Sequence, residues 1–151
     1  MPATPEPTPS DFHVYADLEV RWRDLDALGH VNNAVYFSYL ESARVRYMAQ
    51  VGTTSDPDPG KQFPFLLGEA SCRFLATASL GQVLRVHIRA SRVGNRSFEF
   101  EYLVSDRESG KPVATARTVQ VCFDFAEGRT VSAPPWLRDR FEAIEGRPLF
   151  S

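Results

Sequence analysis

The chain has 151 residues, 43% of them hydrophobic and 24% charged, the size and balance of one globular domain with its own core, which excludes a fibrous or wholly disordered chain. Lys and Arg number 17 against 19 Asp and Glu, too even for the basic footprint of a dedicated nucleic-acid binder. Cys72 and Cys122 lack the close Cys/His spacing of a zinc site, and no apolar stretch approaches the ~18 residues of a membrane span, so free thiols in a soluble, cytoplasmic protein are expected.

Four of the 11 prolines fall within the first nine residues, with no basic start or apolar run. Residues 1–11 therefore read as a disordered Pro-rich tail rather than a signal peptide, and residues 12–151 as a single domain. From Leu18 to Arg23, apolar Leu18, Val20 and Trp22 alternate with charged residues, which predicts a half-buried strand. From Asn33 to Val51 there is no Pro or Gly, and Tyr36, Leu40, Ala43 and Tyr47 recur at helical spacing. The other faces of this helix carry Val35, Phe37, Tyr39, Val45 and Met48, so it is expected to lie inside the structure, capped by Asn32 or Asn33 and ended by Gly52.

Residues 53–62 form a turn-rich connection. Beyond it, Phe63 to Leu67, Cys72 to Leu75, Val83 to Val93, Ser97 to Ser105 and Val113 to Phe125 read as strands, punctuated by Gly81, Gly94-Asn95, Gly110 and Gly128. A short closing helix begins at Pro134-Pro135, presents Leu137, Phe141 and Ile144 on one face, and stops at Gly146. This order predicts an α+β domain in which a curved antiparallel sheet wraps a long, apolar helix.

Between the first strand and that helix lies DLDALGHVNN, residues 24–33, which sets two carboxylates and an imidazole beside a helix N-terminus. Unpaired N–H groups there favour an anion, either a carboxylate or an oxyanion developing on a substrate carbonyl. Ordinary turn and capping chemistry accounts for the same residues, and residue types leave both readings open.

The longer segment DLDALGHVNNAVYFSYLESAR resembles the signature of hotdog-fold acyl-CoA thioesterases of the 4-hydroxybenzoyl-CoA thioesterase type, including the YbgC-like and plant acyl-acyl carrier protein branches. The shared features are the second Asp of the Asp-x-Asp pair, the Gly-His-Val-Asn-Asn run, Tyr36, Tyr39, and Glu41 with Arg44. With FLATASLGQ and SRVGNRSFEFEYLV, the resemblance covers roughly residues 15–125. It implies a hotdog fold, a homodimer or homotetramer with sites at the subunit interface, and hydrolysis of an acyl-CoA or acyl carrier protein thioester without metal or cofactor. It also implies that Asp26 is the catalytic carboxylate and that His30 assists, as in some branches. An Asn two residues after the catalytic Asp in the acyl carrier protein branch is Leu28 here.

The expected chemistry follows from the thioester, whose thiol leaves readily at a pKa near ~8.5, so that carbonyl attack is the hard step. Asp26 is expected to activate water or to attack directly, a backbone N–H near Asn33 to polarise the carbonyl, His30 to orient the reacting groups, and Tyr36 to bind substrate. Glu41 and Arg44 are expected to pair with each other or with neighbouring turns, in a structural role. Arg85, His87 and Arg89 form a cationic stripe continued by Arg92 and Arg96, which read either as a dock for carrier phosphates or as a strand face balanced by Glu99 and Glu101. Arg92 and Arg96, borne near a turn, are the binding candidates, and Glu69 is a second-line acid. Two other readings are a hotdog domain that binds acyl thioesters without turnover, and a metal enzyme using His30 and Asp26, for which His13, His30 and His87 are too scattered.

Overall fold

The structure is a computed structural model that describes residues 5–52 and 65–149. The connection at 53–62 and the first residues of the strand expected from Phe63 lie outside the described residues. Of the proline-rich segment, Pro9–Asp11 form a single 3-10 turn preceded by Thr8, and Phe12 lays its ring 5.5 Å from that of His87.

The ordered elements are β1 (Val14–Glu19), α1 (Val35–Val51), β2 (Phe65–Phe74), β3 (Val83–Val93), β4 (Ser97–Asp106), β5 (Pro112–Asp124), β6 (Arg129–Thr130) and α2 (Pro135–Glu145). The strands make one antiparallel sheet in the order β1-β3-β4-β5-β2, with the short β6 beside β5. Helix α1 lies on its concave face. This is the hotdog fold.

Two strands differ from expectation. The alternation through Arg23 is not all strand: β1 ends at Glu19, and Trp22–Asp24 form a 3-10 turn that leaves Trp22 79% exposed. The cause is local, because the Asp24 carboxylate accepts the Arg21 N–H at 2.9 Å and pulls the chain out of the ladder. Conversely, the apolar stretches on either side of Gly68 are one strand, β2, carrying a bulge between Leu67 and Glu69. Gly68 is required there, since a Cβ would stand 2.9 Å from a Val121 methyl.

Helix α1 buries Tyr36, Tyr39, Leu40, Ala43, Tyr47, Met48 and Val51 against β1 and β3, and its left-handed end at Gly52 has φ +90. Asn32 caps from upstream, its Oδ1 accepting the Ala34 N–H at 2.9 Å, whereas Ala34 occupies the cap position itself and the Asn33 side chain makes no capping bond among the described residues. The second apolar face is uncovered in the single chain, with Phe37 39% and Val45 57% exposed. At the far end, α2 inserts Leu137 and Phe141 into the core, and its buried Glu145 accepts the Tyr47 hydroxyl at 2.7 Å and the Ala90 N–H at 3.0 Å.

Candidate active site

The loop from Asp24 to Asn32 folds back on itself as a miniature hairpin. Asn32 N–H donates to the Asp24 carbonyl at 2.9 Å, Leu25 bridges Val31, and Asp26 N–H donates to the His30 carbonyl at 2.8 Å. Gly29, at φ +81, closes the tip by donating to the Asp26 carbonyl at 3.1 Å. The hairpin is tied to the connection between β2 and β3, since Val31 N–H donates to the Ala78 carbonyl at 2.9 Å, and the chain leading into it is tied there too, Val20 N–H donating to the Gln82 carbonyl at 2.9 Å.

Its two carboxylates have opposite surroundings. Asp24 is 3% exposed. One of its oxygens accepts both the Arg21 N–H at 2.9 Å and the Tyr39 hydroxyl at 2.8 Å, while the other lies 3.5 Å from the Arg21 guanidinium. Burial by itself pushes this carboxyl up, but the bonds from Arg21 and Tyr39 and the nearby guanidinium together hold it below the usual carboxylate value. Asp26 is exposed, with Oδ1 accepting the Leu28 N–H at 2.9 Å in its own turn. Its Oδ2 has no donor among the described residues, which leaves lone pairs for water or a substrate carbon.

Asp26, His30, Asn33 and Tyr36 line one cavity of about 440 Å³, closed on the other side by Phe74 and Leu75 at the end of β2. His30 is half-buried, and the Asn33 N–H, just before α1, has no acceptor among the described residues. That N–H and the N-terminus of a 17-residue helix supply positive potential to the cavity mouth. Tyr36 is 2% exposed, packed edge-on to Tyr39 at 5.7 Å and Phe74 at 5.2 Å, and burial pushes its phenol up to about 12. It is therefore a neutral wall at physiological pH.

The remaining candidates lie elsewhere. Arg92 and Arg96 flank the β3–β4 turn, at the opposite end of β3 from the loop, and β3 has 11 residues, a span of roughly 35 Å. Arg92 faces Glu99 at 3.4 Å, and Arg96 donates to the Thr130 carbonyl and hydroxyl at 3.1 and 3.2 Å. Along the rest of the stripe, Arg85 forks onto Asp17 at 2.8 and 3.0 Å and Arg89 meets Glu101 at 2.6 Å. Cross-strand pairing thus occupies these arginines, and Glu99 also takes Arg117. His87 is no part of a charged stripe: it is buried under Phe12, with Ser105 Oγ at 3.3 Å, and burial first, then Arg85, holds its imidazole below the ordinary value.

Glu69 is exposed at the bulge, 3.6 Å from Arg117 and away from the cavity. The expected Glu41–Arg44 pair is not formed among the described residues; Arg44 instead reaches down to the sheet and donates to the Tyr102 hydroxyl at 3.3 Å. The sequence does not signal the Asp24–Tyr39 contact, since Tyr39 reads there as an apolar helix position and a shared aromatic of the motif, with no partner assigned. No three His, Cys, Asp or Glu side chains among the described residues are placed to hold a metal ion.

Fold and family together define a hotdog thioester hydrolase. The chain belongs to the thioesterase-like superfamily, whose family model matches residues 20–141. Among solved structures it is similar to a thioesterase from Thermus thermophilus complexed with coenzyme A and Zn, at 37% identity and a TM-score of 0.81 over 92% of this chain and 98% of that one. It is also similar to the PA5185 protein of Pseudomonas aeruginosa strain PAO1, at 26% identity and a TM-score of 0.81 over 93% and 96% of the two chains. A chloroplastic acyl-acyl carrier protein thioesterase of Arabidopsis thaliana is 27% identical over 132 residues, 87% of this chain and 68% of that protein.

Proposed function

We propose that this chain hydrolyses acyl-CoA thioesters with Asp26 as its catalytic carboxylate. The observation that carries the reading is the meeting of Asp26, with an oxygen free of protein donors among the described residues, and the unpaired Asn33 N–H at one cavity. The Asn33 N–H and helix end polarise the thioester carbonyl. Asp26 takes a proton from water as the water oxygen bonds to the carbonyl carbon, or itself bonds to that carbon to give a mixed anhydride that water then cleaves. In either route the C–S bond breaks, the thiolate leaves and is protonated by solvent, and the acid departs. His30, on the same wall, orients the water or the carbonyl.

The reading includes a homodimer or homotetramer. It is supported by the place of β2 at the edge of the sheet among the described strands, by Leu66, Leu67 and Phe74 on it at 41, 48 and 41% exposure, and by the exposed Phe37 and Val45 of α1. Arg92 and Arg96 would serve as the carrier's phosphate dock across a subunit boundary, since within one chain they stand at the other end of the sheet from Asp26. The test is thiol release from a panel of acyl-CoA and acyl carrier protein thioesters of varied length and aromaticity, run beside Asp26→Asn. Turnover of at least one thioester that collapses in the variant is expected. Failure of every thioester would favour a hotdog domain that binds acyl groups without turnover.

A further inference from the structure

We infer that Asp24 is a positioning residue for Asp26, acting through its buried hydrogen bond with Tyr39. The inference rests on the reading of Asp26 as the catalytic carboxylate, and it assigns a task to the other carboxylate of the loop.

Besides the Val31 N–H bond to Ala78 on its returning arm, two sets of bonds hold the hairpin in place. Its tip, from Asp26 to His30, is closed by bonds within the turn: Asp26 N–H to His30, Gly29 N–H to Asp26, and Leu28 N–H to the Asp26 carboxylate. These bonds shape the tip without setting where it sits against α1. Its base is set by Asp24, whose carbonyl takes the Asn32 N–H, whose N–H bonds back to the Arg21 carbonyl, and whose carboxylate spans to the Tyr39 hydroxyl 15 residues on. Tyr39 is 4% exposed, inside the first turns of α1, and its ring packs on Tyr36, which lines the cavity. One buried carboxylate–phenol bond therefore couples the loop bearing Asp26 to the helix whose N-terminal end holds Asn33.

A buried carboxylate is costly unless its lone pairs are filled, so loss of either partner drives rearrangement rather than quiet loss of one bond. The rearranging group is two residues from Asp26. Displacement of a catalytic group by about 1 Å costs on the order of 100-fold in rate. Substrate binding need not suffer equally, because the wall made by Phe74 and Leu75 is held by bonds to β5 and not by Asp24.

The test compares Asp24→Ala, Asp24→Asn, Tyr39→Phe, the double variant Asp24→Ala/Tyr39→Phe, and Asp26→Asn, each assayed well below its own melting temperature. Asp24→Ala and Tyr39→Phe are expected to lower kcat by about 10- to 100-fold with KM within about threefold. Asp24→Asn keeps an acceptor oxygen for Tyr39 and is expected to recover most of the loss, and the double variant to be no worse than Asp24→Ala alone. Folded Tyr39→Phe with kcat within about twofold of wild type would overturn the inference, as would additive losses in the double variant. If Asp24→Ala does not fold, Tyr39→Phe and Asp24→Asn decide the matter. Unchanged turnover in Asp26→Asn would instead overturn the underlying assignment of Asp26, whatever the other variants do.

Discussion

On the loop before α1 a carboxylate stands exposed, with no cation against it among the described residues, while on the convex face of the sheet the charges are paired. Arg85 with Asp17, Arg89 with Glu101, and Arg92 with Glu99 sit on neighbouring strands, so each guanidinium has a carboxylate within reach. The difference teaches how one chain separates reactive from inert charge. An ionised group whose lone pairs are filled by cations has little left to offer a substrate, whereas Asp26 is held by its own turn through one oxygen and keeps the other open.

The sharpest way to break this contrast is Asp26→Asn. Turnover should fall by about 10²- to 10⁴-fold, and because the side chain is exposed the melting temperature should stay close to wild type; steady-state thiol release and a thermal melt check both. Next come Arg92→Ala and Arg96→Ala, which lie between the two classes, since each has a protein partner yet both are proposed to meet the carrier. They should raise KM for acyl-CoA by about three- to tenfold and leave it unchanged for a pantetheine thioester that lacks the nucleotide phosphates. A change in KM that is equal for both substrates, or absent for both, would return these arginines to the paired set.

Arg85→Ala tests the inert side. Its pair with Asp17 is partly exposed, at 31 and 27%, so denaturant unfolding should show a loss of about 0.2–1 kcal/mol, with turnover within about twofold of wild type. The smallest effect is a pH effect at His87. Burial lowers its folded pKa below the ordinary value of 6.5, so its contribution to stability is complete above about 6.5 and is lost as pH falls through the folded value. Melting temperatures of wild type should drop more between pH 7 and pH 5 than those of His87→Gln. An equal drop would remove His87 as the cause.

Much of the fold was legible in the chain. The absence of Pro and Gly through α1, the apolar runs of β3 to β5 and the glycines between them depend on local periodicity and backbone freedom, which a sequence carries directly. Departures arose where a side chain interfered with the local pattern. Asp24 ended β1 early by capturing the Arg21 N–H, and the Gly68 bulge joined what read as two strands.

The site divides the same way. The motif around Asp-x-Asp and Gly-His-Val-Asn-Asn placed Asp26, His30 and Asn33 beside a helix end, because all three lie within one short loop and their proximity follows from chain connectivity. Which carboxylate is open and which is buried was decided by Tyr39, 15 residues from Asp24. Whether the stripe was a free cationic surface was decided by partners such as Asp17, 68 residues from Arg85. Periodicity and turn residues determined most of the elements and their order, and the family-like motif named the residues for the chemistry. Only the tertiary structure decided which of those residues stand unpaired, because burial and ion pairing depend on contacts between segments distant along the chain.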